Sequence, residues 1–334
     1  MFSSLKQLLF SPSTPPAGAA QPAPGRRRRP VRDQATALLS PQEIDAAFYG
    51  LILGVQSALE SKPNSFERRV LRELERMVAS DISHSSLVPR LPSVIPRVMS
   101  SLRDQDSSAA QLAAELGRDA VLVSEVIRLS NSALYRVGAE ITSLERGVFT
   151  LGRTGIRQLV ANAAFKPLIN LNAGYFTHLS GTLLWEQSEK TAIGCDWMAR
   201  QEQADRFHAY LAAIVQNVGL TVGLQVLDRN FDGKEVPHSQ QFRERLIRQS
   251  RILTLKIARQ WAFPPAVLDA LEAQIEAPGS GEPPLLDAIL FLSDKLAKLH
   301  ILACQGRISG ASQLRVPWQR LTGHCTTGYE RLSA

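Results

Sequence analysis

The sequence predicts an all-α protein, and three observations carry that expectation. Apolar residues recur at helical spacing through most of residues 40–305. Alternating, strand-like patterns are scarce. No glycine-rich phosphate loop follows a strand.

The elements follow in order. Residues 11–35 are rich in Pro, Ala, Ser and Gly and include Arg26, Arg27, Arg28 and Arg29, so residues 1–38 are expected to form a disordered basic tail. A helical segment over 39–85 begins at Ser40, a helix cap followed by Pro41 in the first turn and Glu43 placed to close a capping box. Its second helix sets Phe66, Val70, Leu74 and Met77 on one face, and the Arg and Glu residues on the other face are expected to be solvated. Further on, Gly117 is a natural helix end, Asp119 opens the next helix, Ser143 caps another and Thr154 opens a third. Five more helical stretches fill about 181–305, and residues 306–334 form a C-terminal extension of mixed pattern.

Composition narrows the function. Hydrophobic residues make up 44%, ordinary for a globular protein, and no uninterrupted apolar run approaches the roughly 18 residues of a membrane helix. The start of the chain lacks the pattern of a signal peptide. Cys195, Cys304 and Cys325 have unrelated spacings, which fits neither a metal signature nor a disulfide framework; the expected setting is the reducing cytoplasm. The net charge is +7, but six basic residues against the single acidic Asp33 lie within residues 1–35, so most of the excess belongs to the start of the chain. The Arg26–Arg29 run reads as a solvated linker; a contact with anionic lipid or nucleic acid, or a docking motif, stays open, and nucleic-acid binding beyond weak contact is not expected.

Residues 91–160 carry a specific ordered pattern. Leu91-Pro92 precedes a helix, "LAAELGRDAVLVSEVIRLSNSALY" contains Asn131, Ser132 and Tyr135, and "ITSLERGVFTLG" runs through Ser143 to Gly152. In order and spacing this set resembles the HDOD domain of bacterial signalling proteins, over about residues 90–305. The resemblance implies an HDOD-type helical bundle, with an N-terminal helical half (about 90–178) and a degenerate HD-like half (about 179–305). Asn131 and Ser132 sit just past a helix end, where short polar side chains bond freed backbone groups.

The HD-like half resembles a metal-dependent hydrolase whose ligands have been replaced. HD enzymes place one His a helix before an adjacent His-Asp pair, and later His residues and a late Asp complete the metal centre. Here Gln187 stands at the first position, and Gln216 and Asn217 replace the pair, with Gly219 kept beside them. Ser250 and Gln274 fall near later His positions, and Asp294 matches the final Asp. An amide nitrogen has no lone pair to give a metal, and one carboxylate cannot hold a divalent ion. Gln216 and Asn217 are therefore expected to bond each other as a neutral plug over a vestigial site.

His178, His208 and Asp205 lie near this region but nothing in their spacing demands a relocated metal centre. Ser188 and Thr191, near Gln187, lack a candidate base, and neither a nucleophile elbow nor an HExxH motif is present. The resemblance implies a signal-transduction protein that is not an enzyme, needs no cofactor and acts by binding a protein partner. Two alternatives remain open: a sensor binding a nucleotide second messenger in the old pocket, and a metal-dependent phosphohydrolase with relocated ligands.

Overall fold

The computed structural model describes residues 38–55, 62–83, 85–91, 116–117, 120–131, 139–169, 171, 173–276, 281–310, 313–316, 318 and 321–332. Expectations for residues 1–37, including the Arg26–Arg29 run, and for Pro92, Asp119, Ser132 and Tyr135 fall outside them. Within them the chain is all-α. Helix α1 spans Pro41–Ile52, α2 Ser65–Ala79, α3 Ala120–Ser130, α4 Leu144–Ile169, α5 Tyr175–Gln201 and α6 Arg206–Val215. Then come α7 over Val218–Asn230, α8 over Gln240–Gln260, α9 over Pro265–Ala273, α10 over Leu285–Cys304 and α11 over Cys325–Arg331. The described strand pairing is one short parallel ladder, β1 (Leu38–Leu39) beside β2 (Gln313–Leu314).

Local chemistry explains the helix ends. Ser40 and Glu43 close the expected capping box on α1, and Asn64 and Glu67 close another on α2. Ser143 Oγ accepts from the Arg146 N–H at the start of α4. Gly152, at φ 61°, interrupts α4 with a kink, a left-handed backbone that glycine adopts without steric cost. Asn131 fulfils its predicted role past the end of α3. Its amide donates to the carbonyls of Ile127 and Ile141 at 3.0 and 2.7 Å, and its Oδ1 accepts from the Ile141 N–H at 2.8 Å. Leu91 packs, half-buried, against the core.

The helices pack α5 against α6 and α10, α7 against α8, and α3 against α4. α1 lies on α10, and α2 lies on α7 and α8. The C-terminal extension joins the same body: Trp318 is buried against Phe291, ring centroids 5.1 Å apart, and α11 packs on α5 and α10. The stretch Arg206–Asn230 is long and apolar enough to cross a membrane by length and composition, but it is mostly buried inside the fold and breaks at Gln216 and Asn217.

One expectation for α2 needs correction. Phe66, Val70 and Leu74 of its apolar stripe are buried and Met77 is half-buried, but its charged face is not simply solvated. Glu67 is 0% exposed, and its carboxylate accepts from the backbone N–H groups of Asn64, His238 and Ser239 at 2.8, 2.7 and 2.8 Å. The capping carboxylate of α2 thus also holds the start of α8, 171 residues away. Glu75 pairs with Arg245, and Glu73 accepts from Asn230 at 2.8 Å. Three of its carboxylates thus bind neighbouring elements, while Arg68, Arg72 and Arg76 remain exposed.

Removing Glu67 strands three partly or fully buried donors, so Glu67→Ala is expected to cost about 3 kcal/mol, against less than about 1 kcal/mol for Glu272→Ala at an exposed pair with Arg259. Urea melts of the two variants check this; equal losses would show that Glu67 is no crosslink.

Candidate functional site

Six helices converge on one buried polar centre. α5 brings Gln187, Ser188 and Thr191, all fully buried. The junction of α6 and α7 brings Gln216 and Asn217, α8 brings Ser250, Arg251 and Thr254, and α10 brings Asp294, Lys295 and Lys298. α1 contributes Asp45 and Tyr49. Gln216, Asn217, Ser250, Gln274 and Asp294 line one small cavity of about 20 Å³, and Gln187 bonds two of them from behind. All six residues singled out in the sequence therefore meet.

The junction explains the adjacent amides and the glycine after them. Gln216 ends α6 and Asn217 begins α7. Thr254 Oγ1 donates to the Gln216 carbonyl at 2.9 Å and accepts from the Gly219 N–H at 3.0 Å. A Cβ on Gly219 would stand 2.0 Å from the Ser250 carbonyl oxygen and 2.6 Å from the Thr254 nitrogen, so the close approach of α7 to α8 requires glycine there.

The expected Gln216–Asn217 plug is not what forms. Asn217 donates instead to Gln187 Oε1 and, at 2.8 Å, to Ser188 Oγ. Gln187 Nε2 donates to Asp294 Oδ1 and to Thr191 Oγ1, the latter at 3.1 Å. Gln216 stays outside this chain of bonds, and its buried Nε2 has no partner. The physical reason is direction: neighbouring residues at a helix junction project differently and do not face each other.

The larger surprise is charge. Lys295 and Lys298 have side chains only 2% exposed, and both ammoniums lie against Asp294 Oδ2, at 2.9 and 2.8 Å. Asp45 reaches in from α1 and pairs with them at 2.7 and 2.8 Å. Lys298 also donates to Tyr49 OH at 2.9 Å and lies 4.5 Å from the centre of that ring. Arg251 approaches Asp45 at 3.6 Å. Burial alone would raise the carboxyl pKa values of Asp45 and Asp294, but the two lysines outweigh it and hold both below the ordinary range. Burial likewise works against the Lys298 ammonium, yet Asp294 and Asp45 push its pKa above the usual lysine value.

Asp45, Tyr49, Arg251, Lys295 and Lys298 were not singled out from the sequence. A signal was present: "SDKLAKL" puts two lysines beside an aspartate in a mostly apolar helix, and Asp294 and Lys298 stand one helical turn apart. Asp45 lies 250 positions from Lys295, and no local pattern joins them.

The residues present do not fit a metal ion. Two carboxylates are already neutralised by ammoniums, and the remaining groups are amides and hydroxyls, which are weak ligands. Among the described residues, no group of three or more His, Cys, Asp or Glu side chains could hold one. His208 pairs with Asp205 at 3.4 Å on the surface, and His178 is exposed. Ser188 and Thr191 serve as hydrogen-bond partners of Asn217 and Gln187. Cys195 is fully buried, and burial pushes its thiol up to about 12, so it is no nucleophile.

Lys298→Met removes one cation from the buried Asp294 and the half-buried Asp45 and is expected to cost about 3 kcal/mol near neutral pH. The carboxyl pKa values are lowered on folding, so their contribution is complete above about pH 4 and is lost as pH falls through the folded values. The Lys298 value is raised, so its contribution is complete below about pH 10 and is lost only as pH rises through the folded value. The stability difference between parent and variant should therefore be flat from about pH 5 to 9 and shrink below about pH 4. Denaturant melts across that range check it; a difference that changes steeply near neutrality contradicts the pairing.

Comparison with known proteins agrees with this architecture. The HDOD domain model matches residues 88–277. A Shewanella amazonensis SB2B structure described as a putative metal-dependent phosphohydrolase aligns at TM-score 0.56 and 21% identity, covering 81% of this chain and 95% of that one. An HDOD domain protein of unknown function from Geobacter sulfurreducens aligns at TM-score 0.53 and 22% identity, covering 80% and 89%. A putative signal transduction protein from Marinobacter aquaeolei VT8 aligns at TM-score 0.51 and 19% identity, covering 84% and 65%. At these identities the likeness is one of fold. An uncharacterized protein of Treponema pallidum (strain Nichols) is 20% identical over 202 residues, 60% of this chain; the chain spans about a third, 34%, of that relative's length. With more than half its length matched, the chain belongs to the HDOD family.

Proposed function

We propose that this chain is a non-catalytic regulatory module of signal transduction that acts by binding a protein partner. The observation that carries the non-catalytic half is the pair of lysine ammoniums between Asp294 and Asp45. A hydrolytic metal needs an open coordination position for water or substrate, which it activates by lowering the pKa of bound water to about 7. An ammonium offers no such position. The positions Gln187, Gln216, Asn217, Ser250, Gln274 and Asp294 are then those of a vestigial HD centre whose cationic charge is now supplied by Lys295 and Lys298. Family membership supports the signalling half, as does the fold shared with the Marinobacter protein described as a putative signal transduction protein. The description of the Shewanella protein favours the opposite reading, a metal-dependent phosphohydrolase. The ligand chemistry weighs against carrying it over.

The test is elemental analysis of protein purified without chelator, together with assays of phosphodiester hydrolysis with added manganese. The expected result is no stoichiometric metal and no turnover. The triple variant Gln187→His, Gln216→His, Asn217→Asp should also stay metal-free, because Lys298 still neutralises Asp294. About one or two metal ions per chain in the parent, removable by chelator with loss of hydrolysis, would overturn the reading.

A further inference from the structure

The charge cluster, buried at Lys295, Lys298 and Asp294 and half-buried at Asp45 and Arg251, does not balance its own charge. Lys295, Lys298 and Arg251 bring three positive groups, and Asp45 and Asp294 only two negative ones. The rim beyond them carries Arg243 and Arg248 against Glu244 and Glu276, which leaves the excess unchanged. The uncompensated charge falls on Arg251, whose side chain is 25% exposed and lies 3.6 Å from Asp45, so an anion arriving from the open side meets a guanidinium that the fold has not fully neutralised.

The space for one is present. Beside the inner cavity runs a groove of about 520 Å³ bounded by α1, α8, α10 and the end of α9. Tyr49, Ile247, Arg251 and Gln274 line both spaces, so Arg251 stands where they adjoin. Two polar groups on the inner side lack partners. Ser250 is 3% exposed and its Oγ makes no hydrogen bond; the buried Gln216 Nε2 makes none either. Native structures rarely leave buried polar atoms unpaired unless a ligand or water completes them.

We propose that this site binds a small phosphate ester. One phosphate oxygen enters the inner cavity, whose 20 Å³ suits about one water-sized group, and accepts from Ser250 Oγ and Gln216 Nε2. The guanidinium of Arg251 takes the other oxygens, a fork that matches phosphate geometry. The organic part lies in the groove against Ile247, Ile275, Phe291 and Pro41, and 520 Å³ falls within the usual range for small-molecule sites. The proposal rests on the non-catalytic reading only in that the ester is held and not cleaved.

The test uses the full chain in buffer with EDTA. Inorganic phosphate, then adenosine 5′-monophosphate, is titrated by calorimetry against sodium chloride of equal ionic strength, with sodium acetate as the carboxylate arm. Both phosphates should bind, the ester at least about tenfold more tightly because the groove adds contacts, and acetate more weakly than either. Ser250→Ala, which leaves the charge cluster intact, should weaken phosphate binding about fivefold, and Arg251→Gln should weaken it more than about tenfold. Arg248→Gln, at the rim, should change it less than about twofold. No phosphate heat beyond the chloride control, or equal binding by the parent and Ser250→Ala, would overturn the proposal. Acetate binding as tightly as phosphate would overturn the ligand class. Binding that appears only when manganese replaces EDTA would overturn the proposal and the non-catalytic reading together, whereas absence of binding in both buffers removes this inference alone.

Discussion

Two lysine ammoniums kept from water must be neutralised where they stand, and Asp294 on their own helix can supply only one of the two charges. The second comes from Asp45 on α1, which reaches both lysines at hydrogen-bonding distance. This requirement fixes the position of α1 on α10. It makes the segment before residue 88 part of the site, and α10 lies beyond residue 277, so both partners of the pairing fall outside the stretch that the family match covers. The centre of the domain is completed by its flanks. An ion cluster of this kind is weak grounds for added stability, because desolvation offsets much of the Coulomb attraction, but a misplaced α1 would leave charge buried and unpaired.

The amides around the cluster have their orientation imposed by it. Asp294 can only accept, so Gln187 must turn its NH₂ toward that carboxylate, which sends its oxygen toward Asn217. Asn217 must then present its own NH₂, and its second hydrogen goes to Ser188 Oγ. The polarity of one carboxylate is thereby passed through two neutral side chains to the α6–α7 junction. Thr254 and Gly219 clamp the other side of that junction at the closest approach of α7 to α8.

What the sequence made legible was local. The cap at Ser40 through Glu43, the bond-former at Asn131 and the cap at Ser143 depend on residues within about ten positions, and each can be read from short patterns. The six positions of the polar centre were legible only through the resemblance to the HD pattern, which says where its ligands would stand. The cluster's second carboxylate was not, since its partners are 250 and 253 residues away. The lysines stand beside Asp294 in the sequence, but that their ammoniums are buried is a property of the packed body around α10. Glu67 escaped for the same reason: in a helix rich in Arg and Glu, nothing marks which carboxylate will face a neighbour. The Gln216–Asn217 plug failed because adjacency in sequence is not convergence in space.

A cation attached by four methylenes to the chain has no dissociation constant. On the proposed reading, the charge at this centre cannot be withdrawn by metal starvation, by chelation or by competition between metals of different affinity. It also shapes what mutation can reach. A lineage regaining a metal would have to lose Lys298 before a divalent ion could be ligated, and the intermediate would carry two carboxylates with one lysine between them. That intermediate lies in a stability valley of several kcal/mol, a large part of the roughly 5–15 kcal/mol that holds a domain folded. Single steps between a lysine-neutralised centre and a metal-binding one lower stability first, so the lysines act as a barrier between the two chemistries.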